Sequence, residues 1–118
     1  MGYTTTFSGG IRFNIDISDS TAKILTDQFV DWEIERFCYC PWFIKKDHRG
    51  IWILKCEDGK SKEYLGWLKI ILYKLSNIYS LNGSVFWRGE DYSDNGKLVV
   101  ENNILTVYKT KYVNEMYC

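Results

Sequence analysis

A chain of 118 residues and 14.0 kDa is long enough for one folded core and too short for two, so residues 1–118 are read as a single domain. An apolar content of 46%, an aromatic content of 17% and a lone proline, Pro41, exclude intrinsic disorder and a proline-rich linker. Fifteen basic side chains balance fifteen acidic ones, which excludes a global field that would draw in nucleic acid or an anionic membrane.

Taken in chain order, Tyr3 to Ile17 alternates apolar and polar residues and predicts a strand, interrupted at Ser8-Gly9-Gly10 by a bulge or tight turn. Asp19 or Ser20 is placed to cap a short helix, with Ala22, Leu25, Phe29 and Val30 on one face and an end near Asp31 or Trp32. CYCPWFIKK (38–46) and GIWILKC (50–56) predict a buried hairpin turning at Asp47-His48-Arg49-Gly50, with a further turn at 57–60. From Ser61 onward, Tyr64, Leu65, Leu68, Ile71, Leu72, Leu75, Ile78 and Tyr79 recur at three- and four-residue intervals. That spacing predicts an amphipathic helix of about four turns, stopped by Asn82-Gly83. Strands follow at 84–89, 97–101 and 104–111, joined by Ser93-Asp94-Asn95-Gly96 and by Asn102-Asn103.

The element order β, α, β, β, α, β, β, β predicts an α+β fold. The arrangement it suggests is an antiparallel sheet with both helices on one face, close to a ferredoxin-like split β-α-β order with a C-terminal strand extension. The polar N-terminal stretch reads as no signal peptide, and no apolar run approaches the roughly 20 residues a membrane span needs. The expectation is a soluble, cytoplasmic protein whose four cysteines are free thiols.

Three patterns bear chemistry. In LNGSVFWRGEDYSDNG (81–96), counting from Asp91, Ser93 and Asn95 fall at alternate calcium-ligand positions, but position twelve is Asn102 and Glu101 comes one place early. A hairpin turn with a solvated acidic rim explains Glu90, Asp91 and Asp94 better than a metal loop, and no nucleophile or second base accompanies them as a catalytic pair. Cys38, Cys40, His48 and Cys56 lack the knuckle spacing of a zinc site. No metal and no cofactor is therefore expected.

The third pattern is charge. Residues 36–74 carry nine basic and four acidic side chains, a net +5, and interleave Lys46 and Arg49 with Trp42 and Trp52. Outward-facing aromatics there are suited to stacking, although no RNA-recognition signature occurs and the zero net charge disfavours nucleic acid. Five Trp, nine Tyr and six Phe exceed what one small core absorbs, which points to an interface. The expected contact residues are Trp42, Lys46, Arg49, Trp52, Trp87, Glu90, Asp91 and Asp94.

Both ends of the chain carry a resemblance. GYTTTFSGGIRFN (2–14) and LNGSVFWRGEDYSDNGKLVVENN (81–103) are similar to a family of small uncharacterised proteins from phages and large DNA viruses. Its members open with a Gly-Tyr-Thr-Thr-Phe-Gly strand and close with Leu-x-Gly-x-Val-x-Trp-x-Gly-Glu-Asp. The middle, 38–56, departs from that pattern by its cysteines, lysines and aromatics. The resemblance implies a viral or phage origin, action in the host cytoplasm, and a shared role centred on Glu90, Asp91 and Asp94; it supplies no catalytic residue. The resulting expectation is a non-enzymatic interaction domain that binds a host protein or a second copy of itself. The alternative is a small-ligand or nucleotide-binding protein using the hairpin 36–56.

Overall fold

The computed structural model describes residues 3–59 and 63–109. Eight elements follow the expected order: β1 (Thr6–Phe13), α1 (Asp19–Arg36), β2 (Trp42–Lys46), β3 (Trp52–Cys56), α2 (Tyr64–Leu75), β4 (Leu81–Arg88), β5 (Asn95–Glu101) and β6 (Ile104–Lys109). The strands form one antiparallel sheet in the order β2-β3-β1-β4-β5-β6. Thus α1 links β1 to β2 with β3 between them, and α2 links β3 to β4 with β1 between them.

Alternation decides which side chains are covered. Ile11 and Phe13 of β1, Trp42 and Ile44 of β2, Leu54 and Cys56 of β3, Leu81, Val85 and Trp87 of β4, and Leu98 and Val100 of β5 point to one face. There they join Ala22, Leu25 and Phe29 of α1 and Trp67, Leu68, Ile71, Leu72 and Leu75 of α2 in a single buried cluster. Each fully buried Leu or Ile in it contributes about 1.5–3 kcal/mol relative to exposure. No helix among the described residues is long and apolar enough to cross a membrane.

Several boundaries differ from the expectations, each for a local reason. β1 pairs with β4 without a break from Thr6–Arg88 to Phe13–Leu81, so Ser8-Gly9-Gly10 is not a turn; on its other side, against β3, the register slips by one residue between Ile11–Leu54 and Thr5–Gly59, the extra residue of the expected bulge. Gly9, at φ +89, is needed because a Cβ there would run into the Ser84 carbonyl oxygen of the neighbouring strand. Helix α1 is capped by Ser18, whose hydroxyl accepts the Thr21 N–H, and continues past Trp32 to a left-handed Phe37 at φ 50. Glu33, Ile34, Glu35 and Arg36 contain no breaker, so the helix extends beyond its buried face.

Cys38 to Pro41 is loop, and β2 starts only at Trp42. Proline has no N–H to give a ladder, so Cys38 and Cys40 do not stand side by side on a strand. Helix α2 spans twelve residues, Tyr64–Leu75; the expected start at Ser61 lies outside the described residues. Asn82-Gly83 does not stop it but lies inside β4, where Gly83 passes so close to Gly10 and Ile11 that a Cβ would collide with β1. Asn95-Gly96 likewise belongs to β5, with Gly96 paired to Trp87 and Lys109. The other expected joint, Asn102-Asn103, is a turn as read, with both residues left-handed at φ 48 and 67. The β6 strand ends at Lys109, and the expected continuation to Lys111 is outside the described residues.

Candidate binding surface

The acidic loop between β4 and β5 is internally committed. Asp94 accepts the Tyr3 hydroxyl at 2.7 Å and the Trp87 indole N–H at 3.0 Å, while the Asp91 N–H donates to the Tyr3 oxygen at 3.1 Å. Asp91 Oδ1 accepts both the N–H and the hydroxyl of Ser93. Glu90 accepts the Thr4 N–H. These contacts fasten the loop to the chain before β1.

They also hold the carboxyls below the usual range: Asp94 through the Tyr3 hydroxyl and then the Trp87 indole, Asp91 through the Ser93 N–H and hydroxyl. Tyr3 is pushed above its ordinary value, chiefly by its bond to the Asp94 carboxylate. Carboxylates held this acidic are poor proton donors at neutral pH. The calcium register also fails in space, because Glu101 and Asn102 lie a whole strand, about 20 Å, from Asp91.

The hairpin residues are likewise spent on local contacts. Trp42 is 2% exposed and gives its indole N–H to the Tyr64 carbonyl at 2.7 Å, leaving no face for a partner. Trp87 is buried as well, under the loop. Lys46 pairs with Asp19 at 3.3 Å and lies 5.2 Å above the Trp52 ring, and Trp52 donates to the same carboxylate at 2.8 Å. The Trp52 bond first, then Lys46, holds Asp19 below the usual carboxylate range. Arg49 pairs with Asp47 at 3.2 Å inside its own turn.

The eight expected contact residues therefore fall into separate groups. Trp87, Asp91 and Asp94 meet at the loop around Tyr3, with Glu90 beside them through Thr4; Lys46 and Trp52 meet at Asp19; Arg49 and Trp42 stand apart. Cys40 and Cys56 are buried, and desolvation pushes their thiols up to about 11 and about 12. His48 sits at the opposite end of the hairpin from both. Among the described residues no three His, Cys, Asp or Glu side chains converge on a point where a metal would sit.

What the fold does assemble is the other face of the sheet. Opposite the core, Phe43 and Lys45 of β2 pair with Lys55 and Ile53 of β3, and Ile53 pairs with Arg12 of β1. Further along, Ser8 of β1, Phe86 of β4, Lys97 of β5 and Tyr108 of β6 form one continuous cross-strand row, with Thr6, Arg88 and Asn95 in the next. Phe43, Phe86 and Tyr108 are 38%, 50% and 52% exposed, and the Lys97 ammonium stands 5.2 Å above the Tyr108 ring.

Neither helix covers this face. Its five cations, Arg12, Lys45, Lys55, Arg88 and Lys97, make no ion pair among the described residues, and Glu101, at the far end of β5, is the one carboxylate at an outward strand position. Shallow depressions of about 580, 480 and 410 Å³ mark the same face and its β2–β3 edge. The net +5 of residues 36–74 takes in Lys45 and Lys55, but the residues singled out there, Trp42, Lys46, Arg49 and Trp52, are not the ones on this face, and nothing in the local pattern marks Arg12, Phe86, Arg88, Lys97 or Tyr108. The usable signal was period-two alternation: Phe86 and Trp87 are neighbours on opposite faces, and the larger ring drew attention to the buried one.

Fold and surface together define an α+β protein with a six-stranded antiparallel sheet, packed on two helices at one face and open at the other. Compared with protein-family models, curated proteins and solved structures, the chain matches none.

Proposed function

We propose that this protein acts by binding, without chemistry of its own, and that an anionic partner docks on the open face of the sheet. The observation that carries this is the segregation of charge. Among the described residues, five cations with no ion pair stand at outward strand positions beside one carboxylate, with Asp47, Glu57 and Asp58 at the rim, while α1 carries Asp19, Asp27, Asp31, Glu33 and Glu35 against Lys23 and Arg36, and α2 adds Lys69 and Lys74. The zero net charge is reached only when the acids of α1 and of the loops are added to this face, and a partner meets one face at a time.

The strand order supports reading β1 to β4 with α1 and α2 as a ferredoxin-like split β-α-β unit extended by β5 and β6. The similarity of both ends to phage and large-DNA-virus proteins supports placing the activity in the cytoplasm of an infected cell. A direct test is retention on immobilised heparin. The native protein is expected to elute at clearly higher salt than an Arg12→Glu, Lys97→Glu variant of equal thermal stability; equal retention would overturn the proposal.

Self-association is a second reading, favoured by Val30, Ile34 and Phe37. Val30 and Ile34 lie at helical spacing on the outer side of α1 and Phe37 caps its end; they are 47%, 65% and 96% exposed. A doubled mass in native mass spectrometry that Ile34→Asp abolishes would establish it; a single-copy mass at micromolar protein would dismiss it.

A further inference from the structure

We infer that the anionic partner is a single-stranded nucleic acid, with bases stacked on Phe86 and Tyr108 and phosphates met by the surrounding cations, an inference that rests on the open-face reading above. Charge alone would suit any polyanion; the aromatics narrow it. Phe86 and Tyr108 stand two strands apart in one row, about 10 Å, with Lys97 between them. Half-exposed rings beside cations that make no ion pair are the arrangement that stacks bases while neutralising their backbone, and the Lys97 ammonium over one side of Tyr108 leaves the ring its other side. A duplex keeps its base faces stacked on one another and has no use for such rings.

The extent of the face argues against a lone nucleotide. Lys45 on β2 and Lys97 on β5 lie four strand spacings apart, about 19 Å, and the depressions along the face are shallow and separate rather than one enclosed pocket. Between the cations, Ser8 and Gly10 of β1 and Ser84 of β4 are small, leaving a low floor on which a strand can lie. Gly10 faces Ile53 so closely that a Cβ would collide with its side chain, which keeps that floor low.

The test is fluorescence anisotropy with labelled ten-nucleotide oligo-dT and oligo-U. A duplex of the same length, polyphosphate and poly-glutamate serve as competitors, each across a salt series. Single strands are expected to bind with log K falling by about 0.7 per contacted phosphate for each decade of salt, so by up to about 3.5 for five cations. Phe86→Ala and Tyr108→Ala are each expected to weaken binding roughly 5- to 150-fold with unchanged urea midpoints, and Phe86→Tyr to restore most of it. Lys97→Gln should lower the salt slope by about one contact.

Competition by polyphosphate or poly-glutamate as effective as by the single strand, or indifference to Phe86 and Tyr108, would overturn the nucleic-acid inference while leaving the anionic-partner reading intact. Preference for duplex would overturn the single-strand inference and likewise leave the anionic-partner reading intact. Binding of none of these polyanions would overturn both.

Discussion

The acidic loop at 89–94 and the open sheet face share one strand, β4, and teach opposite lessons. The loop is dense in chemical residue types within a few positions, and its side chains are used up on one another and on Tyr3 and Trp87. The face is built from residues scattered from Thr6 to Tyr108, and among the described residues the register leaves its cations without an ion pair. Local density of polar groups favours mutual satisfaction, because neighbours in a turn reach each other first. Among the described residues, the cations gathered by strand register on the uncovered face find no carboxylate, and Lys97 has only the Tyr108 ring.

The contrast is sharpest at Phe86 and Trp87, one peptide apart. Trp87→Ala should cost about 3–5 kcal/mol in urea unfolding, because it empties a packed site against Tyr64 and removes the indole that anchors Asp94. Phe86→Ala should stay within about 0.5 kcal/mol and act on binding instead. If the two substitutions were equally destabilising, the division between a structural loop and a functional face would fail.

A smaller effect separates the loop from the face by charge. Asp94→Ala leaves the mostly buried Trp87 N–H unpaired and should cost about 1–3 kcal/mol, with oligonucleotide affinity unchanged for the folded protein. Lys97→Gln should do the reverse: stability stays within about 0.5 kcal/mol while the salt slope drops. Loss of affinity in folded Asp94→Ala would place the loop in the binding surface after all.

Much of the architecture was legible because it is local. The order of eight elements follows from periodicity, the α2 core stripe from Leu68, Ile71, Leu72 and Leu75, and the last hairpin from Asn102-Asn103. What was not legible depends on neighbours across strands. Asn82-Gly83 reads as a stop signal in isolation, yet Gly83 is there to let β1 approach. The aromatic excess reads as an interface, yet Trp42, Trp67 and Trp87 are consumed by the core. The open face stayed hidden because its row of Ser8, Phe86, Lys97 and Tyr108 exists only once four strands are in register.

The smallest expected effect concerns pH and returns to the loop. Asp94 has its folded pKa below the ordinary 3.8, so its contribution to stability is fully present above that value and is lost as pH falls through the lowered one. Tyr3 has its folded pKa above 10.0, so its contribution is present below 10.0 and is lost as pH rises through the raised one. The Tyr3–Asp94 bond should therefore hold across the neutral range and fail at both extremes, by amounts that solvent exposure keeps small. Urea midpoints measured against pH should show Tyr3→Phe flattening the alkaline limb and Asp94→Asn flattening part of the acid limb. The remainder of that limb belongs to Asp91, Asp19 and Asp47, whose carboxyls are held low by Ser93, by Trp52 with Lys46, and by the Ile51 and Arg49 N–H groups. Both limbs unchanged in the two variants would mean that the loop is not fastened through this bond, and the reason for reading its acids as structural would be gone.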